Sequence, residues 1–280
     1  MRVDNDGVEL SVEVEGPDDA TPVVFLHGVS GCAQTYGWLP PEIADGRRIV
    51  RVDLRGHGNS SHAPGTYDIA HYGRDVVAVL RALERPAVLV GHSLGGVTAW
   101  WVAQNAPELV VAAFLEDPPL FMGEPAEHEL NAAVPVFRAV RERAAGWQAE
   151  GASAEAVAAQ LAPAPLGPER TMGDVMEPDA IAARAEAQLL MDPGVLDQAI
   201  DRSTLADTDT SSPVTVPVVV LAADDALAAF PIRHAERLAR SHPEIEIVRV
   251  PGAGHGIHEE RAHRGDYVRH LAAFLHRHAS

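Results

Sequence analysis

From Arg2 to Glu15 apolar and polar residues alternate, interrupted at Asn5-Asp6-Gly7. Alternate residues of a strand face opposite sides, and Asp-Gly accepts the positive φ of a tight turn, so the stretch predicts an antiparallel hairpin. Beyond it the pattern changes to short runs rich in apolar and β-branched residues: 22–27 (PVVFLH), 47–54, 87–90, 110–115, 217–222 and 244–250. Runs this unbroken read as strands of a parallel sheet covered on both faces. Between them the spacing turns helical. Residues 69–84 put Val76, Val77, Leu80 and Leu83 on one face, and 231–241 and 264–276 behave alike. Residues 34–44 are loosely helical and interrupted by Pro40-Pro41. Strand and helix in alternation predict the α/β class.

One segment departs from this rhythm. From Pro118 to Ser212 the chain is rich in Ala, Glu, Arg and Pro, with helical stretches at 127–150, 154–161 and 178–191 and no strand. The expected organisation is therefore a core of 1–117 and 213–280 with a helical cap of 118–212. Phe121, Met122, Phe137, Trp147, Met172, Met176 and Met191 are its candidate pocket-lining residues, with Phe121 and Trp147 foremost.

The turns carry the chemistry. The run 87–90 ends in Gly91-His92-Ser93-Leu94-Gly95-Gly96, a G-x-S-x-G turn between strand and helix that presents Ser93 at the sheet's carboxyl edge. Other strands end in His27-Gly28-Val29, in Asp53-Leu54-Arg55-Gly56-His57-Gly58-Asn59-Ser60 and in Gly252-Ala253-Gly254-His255. Together these motifs resemble the α/β-hydrolase superfamily over most of the chain. The resemblance implies a mostly parallel eight-stranded sheet with helices on both faces and a helical lid after the sixth strand.

It also implies roles. Ser93 would be the nucleophile and His255 the base, since a neutral hydroxyl attacks poorly without one. The backbone N–H groups of Val29 and Leu94 would form the oxyanion hole. His27 and Gly28 would shape the substrate side of that turn, with His27 bracing it. His92 would be turned away from the substrate by the elbow, and Arg55, His57 and Ser60 would be loop scaffolding. The orienting acid stays open. Most relatives carry it after the seventh strand, where Asp224 and Asp225 lie without the usual glycine; Asp117, ending the sixth strand, resembles the place used by some dehalogenases and lactonases, and Glu116 precedes it.

Composition narrows the partners. Forty acidic against 22 basic residues give a net charge of −18, which repels nucleic acid and anionic membranes. All basic residues are arginine. Cys32 is the single cysteine, so no intrachain disulfide can form and an intracellular, cytoplasmic setting fits. It is read as a small buried residue near the site. The N-terminal stretch reads as a hairpin and not as a signal peptide, and no apolar run approaches the ~20 residues of a membrane span. His258, three residues after His255, has no third ligand motif beside it, so no metal is expected. The implied protein is a serine hydrolase of a small-molecule ester or lactone, cofactor-free, monomeric or homodimeric. A carbon–carbon bond hydrolase, a perhydrolase, an acyltransferase or a non-catalytic ligand-binding protein would use the same frame.

Overall fold

In the computed structural model, which describes residues 1–129, 133–166, 169–224, 226 and 228–279, the alternating segment forms β1 (Arg2–Asn5) and β2 (Val8–Glu15). They pair antiparallel about Asp6 and Gly7, both at positive φ. The apolar runs become β3 (Pro22–Leu26), β4 (Arg48–Val52), β5 (Ala87–His92), β6 (Val110–Glu116), β7 (Val218–Ala222) and β8 (Glu246–Arg249). The sheet order is β1-β2-β4-β3-β5-β6-β7-β8. Strand β2 runs antiparallel to β4, and every pairing from β4 to β8 is parallel. This is the eight-stranded α/β-hydrolase sheet that the motifs imply. Strands β3, β5 and β7 are buried at every position, which explains why their sequences do not alternate.

Helices cover both faces. On one lie α2 (Ile69–Ala82), α3 (Leu94–Asn105) and α10 (Ile232–Ser241), packing Tyr72, Val76, Trp100 and Leu238 on strand residues such as Ala113 and Leu115 of β6. On the other, α1 (Pro41–Ala44) and α11 (Arg264–His278) pack Ile43, Tyr267, Leu271 and Phe274 on Ala112 and Phe114. From Ala112 to Leu115, past a register shift at the start of the strand, successive residues of β6 thus belong to different cores, the period of two expected of a pleated strand.

Between β6 and β7 the helical insertion is present: α4 (Pro125–Glu129), α5 (Ala133–Glu150), α6 (Ala154–Leu161), α7 (Met172–Val175), α8 (Pro178–Leu190) and α9 (Gly194–Ile200). The single helix expected at 127–150 is two elements, α4 and α5. Helices α7 and α9 were not expected, being too short to show a period. The first nevertheless has a capping box in which Thr171 and Asp174 satisfy each other's backbone amides. The insertion has a small core of its own, with Trp147, Val157, Leu161, Met176, Ile181 and Ala185 buried together. Among the described residues no helix is long and apolar enough to cross a membrane.

Candidate active site

Ser93 sits between β5 and α3 at φ 52°, ψ −116°, a conformation that L side chains rarely adopt. The flanking glycines are a steric requirement of that turn. A Cβ on Gly91 would lie 2.3 Å from the Gly95 carbonyl oxygen, and one on Gly95 would lie 2.1 Å from that of Leu26. The turn is tied to its neighbours by the Ser93 amide, which donates to the Glu116 carbonyl at 2.9 Å, and by the Gly95 amide, which donates to that of His27 at 3.1 Å. Ser93 is 8% exposed.

His255 lies in the loop after β8, with Nδ1 2.6 Å from Oδ2 of Asp117. A carboxylate only accepts, so Nδ1 carries the hydrogen and the neutral ring keeps its lone pair at Nε2. Asp117 follows β6 at φ 42° and is fully buried. Its carboxylate also receives the amides of Ala223, Ala229 and Phe230 at 3.2, 2.7 and 3.3 Å. Those donors come from the turn after β7, where the rival acids lie. Asp224 accepts from the amides of Gly252 at 2.8 Å and Ala226 at 3.3 Å, which hold its carboxyl below the usual range; it braces its own turn. Asp225 lies outside the described residues.

The Leu94 amide opens α3, where the first N–H groups have no intrahelical partner and carry the positive end of the helix dipole. Val29 follows a turn held from behind. His27 donates from Nδ1 to the Gly28 carbonyl at 2.8 Å and accepts the Leu54 amide on Nε2 at 3.1 Å. Burial keeps its pKa well below the ordinary value. Both nitrogens of His27 are thus engaged and its ring is 0% exposed, which leaves it no free polar atom on the surface of the turn. The His57 ring nitrogens lie 2.8 Å from the carbonyl oxygens of Arg55 and Val29, a direct hold on the turn. Gly28 presses on the site itself: a Cβ there would sit 2.8 Å from Nδ1 of His92 and 3.4 Å from Cβ of Ser93.

Two lid residues expected to line a pocket are packed elsewhere. Phe121 is buried beneath the Arg237 guanidinium, 4.1 Å from its ring centroid, and beside His234. Trp147 is in the lid's own core and donates to Gln160 at 3.0 Å. Cys32 is buried, and burial pushes its thiol up to about 12, far from a reactive thiolate. Among the described residues no group of three or more side chains could hold a metal ion.

The structure adds contacts that the motifs did not reveal. His92 donates from Nε2 to the His255 carbonyl at 3.0 Å, so the residue before Ser93 grips the histidine loop. Glu116 accepts both the amide and Nδ1–H of His258, at 3.0 and 2.7 Å, with both side chains 0% exposed. The visible signal was the adjacency of two acids, Glu116-Asp117, against two histidines spaced three apart. From the lid, Arg184 of α8 makes a two-pronged bond to Glu259, one arm at 2.9 Å, and Arg264 binds Asp179 at 2.7 and 2.8 Å. The Glu177 amide donates to the Glu259 carbonyl at 2.9 Å, and that of Arg261 to Val175 at 3.0 Å. A pocket of about 20 Å³ lies between lid and turn, bounded by Gly28, Ser30, Gly31, Thr35, His92, Arg184 and Glu259, room for about one water. A larger groove of about 600 Å³ between α6, α8 and Trp38 includes none of Ser93, His255 or Asp117.

A hydroxyl on a strained turn, an imidazole oriented by a buried carboxylate and a helix N-terminus beside the hydroxyl can together support acyl transfer. The Alpha/beta hydrolase family model matches residues 23–265. The chain is 27% identical over 276 residues to sn-1-specific diacylglycerol lipase ABHD11 of Mus musculus, covering 94% of this chain and 83% of that one. It is 26% identical over 268 residues to 2-(acetamidomethylene)succinate hydrolase of Mesorhizobium japonicum, covering 92% and 89%. The solved structure of E-2-(acetamidomethylene)succinate hydrolase superimposes with a TM-score of 0.76 at 25% identity, covering 98% of each chain.

Proposed function

The chain belongs to the α/β-hydrolase family, and from that premise we propose that it cleaves a small-molecule ester or lactone through an acyl-enzyme on Ser93, His255 and Asp117. The observation that carries this is the 2.6 Å bond from His255 Nδ1 to Asp117, in a loop held by the residue before Ser93. In the first step Nε2 of His255 takes the Ser93 proton as Oγ bonds to the carbonyl carbon. The negative charge formed on the carbonyl oxygen faces the amides of Val29 and Leu94. Collapse of that intermediate breaks the ester bond, and His255 returns the proton to the leaving alcohol. A water molecule then repeats the sequence on the acyl-enzyme and releases the acid. Asp117, oriented by three backbone amides, holds the imidazolium that forms in each step.

Residues 118–212 act as a cap over the core of 1–117 and 213–280. Their separate hydrophobic core and the ladder from α7 and α8 to the histidine loop support this reading. The curated relatives, a lipase and a hydrolase of an acetamidomethylene succinate, suit acyl chemistry on the same frame.

The test is a panel of nitrophenyl esters and lactones with purified protein. Ser93→Ala should abolish turnover, and a fluorophosphonate should label wild type once, at Ser93. Asp117→Asn should lower kcat by on the order of 10⁴, the loss seen when an orienting aspartate is neutralised in a serine protease. Asp224→Asn and Asp225→Asn should each stay within about tenfold of wild type. Collapse of either of the latter with Asp117→Asn active would move the acid to the β7 turn.

A further inference from the structure

The end of β6 holds two carboxylates in succession, and the chemistry above uses only one. Asp117, one residue past the strand, meets the amides of Ala223, Ala229 and Phe230. Glu116, the last residue of the strand, is fully buried near Tyr36 and Tyr267. The loop after β8 answers both: His255 reaches Asp117, and His258 reaches Glu116. The loop is therefore tied to the strand end twice.

We propose that Glu116 and His258 are positioning residues that fix His255 over Ser93 by clamping the far leg of this loop to β6. The inference rests on the reading of Ser93, His255 and Asp117 as the reacting groups. Its geometry is specific. Both Glu116 oxygens are used, one on the His258 amide and one on the ring, so the carboxylate sets the backbone as well as the side chain. The same residue's carbonyl accepts the Ser93 amide at 2.9 Å. One residue thus touches the nucleophile's backbone and the histidine's loop. The His258 ring is locked by the Tyr36 ring stacked at 5.1 Å, by Tyr267 at 5.5 Å and edge-on by His92 at 5.1 Å. His92 in turn donates to the His255 carbonyl, which closes the circuit. Burial works against charge on the pair, yet the Glu116 carboxylate lifts the His258 pKa, and the His258 and His92 charges hold that of Glu116 down. A carboxylate–imidazole pair buried to this degree is an expensive way to hold a loop unless its placement matters, because apolar residues of similar shape often match or exceed the stability of such pairs.

The experiment compares wild type, Glu116→Gln and the double variant Glu116→Leu/His258→Phe, which leaves no buried charge unpaired. Each is followed by steady-state kinetics on a nitrophenyl acetate, by circular dichroism and by the low-field proton resonance of an Nδ1–H bonded to carboxylate. Wild type should show such resonances from His255 and from the fully buried His258, beside that of the part-exposed His71–Asp68 pair, and Asp117→Asn identifies the one from His255. Both Glu116 variants should fold, keep KM, lose kcat by roughly 10- to 100-fold, the scale of a 1 Å misplacement, and shift the His255 resonance. Folded variants that keep kcat within about twofold with an unmoved His255 resonance overturn the proposal. Failure of the double variant to fold also overturns it, since the pair would then be a structural support of the core. Ser93→Ala run alongside separates the two readings: turnover surviving there sinks the hydrolase mechanism, while the resonance shift, which needs no turnover, still decides the clamp.

Discussion

Ser93 and Asp117 share a backbone property that their side-chain chemistry does not require: φ values of 52° and 42°. Non-glycine residues held in such regions store about 1–3 kcal/mol each and persist where the surroundings over-determine them. For Ser93 the surroundings are the Glu116 carbonyl on its amide and the start of α3. Replacement by alanine removes the hydroxyl but keeps the strain, whereas glycine releases it. Ser93→Gly should thus be more stable than Ser93→Ala by about 1 kcal/mol in urea titrations; equal midpoints would mean an unstrained turn. The strain also explains what was legible. Glycines at Gly91 and Gly95 are demanded by backbone contacts of 2.3 and 2.1 Å, so the sequence displayed the elbow, and the glycine-rich turn displayed His255. The carboxylate that bonds His255 was not legible, because Asp117 and Asp224 both follow strands of the same sheet. What separates them is convergence: Ala223, Ala229 and Phe230 aim their amides at Asp117, and only the folded turn brings these together.

At the scale of elements, the strands were readable because burial on both faces forces an apolar run, and the long helices of the insertion were readable too, at 154–161 and 178–191 almost to the residue; what their faces pack against was not, because these helices pack mainly on one another. Phe121 and Trp147 illustrate the difference: an aromatic in a cap has the same sequence signature whether it lines a cavity or fills a small core. Trp147→Ala should cost about 3 kcal/mol, a large-to-small change in a packed cluster, measured by denaturation, and a loss under 1 kcal/mol would place the ring outside the core. The lid is fastened at two ends. At α8, Arg184 binds the buried Glu259. Arg184→Met should cost about 3 kcal/mol by stranding that carboxylate, and adding Glu259→Leu should recover most of the loss; additive losses would argue against coupling. At α4, Glu127 bonds to Arg233 at 2.7 Å and meets His234 at 2.9 Å, and the Arg233 bond lowers its carboxyl from 4.5 to about 2. A depressed carboxylate contributes stability above its unfolded pKa and loses it as pH falls toward the folded one. Thermal melts between pH 4.5 and 2 should therefore fall more steeply for wild type than for Glu127→Gln, and parallel curves would show an idle latch.

For the whole molecule, the charge of −18 and the exclusive use of arginine act in opposite directions. Net charge of one sign repels itself and loosens the compact state, while arginine's planar fork makes paired bonds to carboxylates, as in Arg55–Asp75 at 2.6 and 2.7 Å and Arg264–Asp179. Salt screens repulsion between exposed charges farther apart than a Debye length, about 10 Å at 0.1 M, and touches buried pairs less. Melting temperature should accordingly rise with sodium chloride over the first few tenths molar, and a fall would mean that surface ion pairs dominate. The frame behind the site has a consequence of another kind. Ser93 is hung from the Glu116 carbonyl, His255 from Asp117, and the far end of the histidine loop from the Glu116 carboxylate, so three groups take their coordinates from two neighbouring residues of one strand. Thermal displacement of that strand end is then common-mode: it carries all three groups along together and leaves their separations, on which the proposed proton transfer depends, largely free of noise.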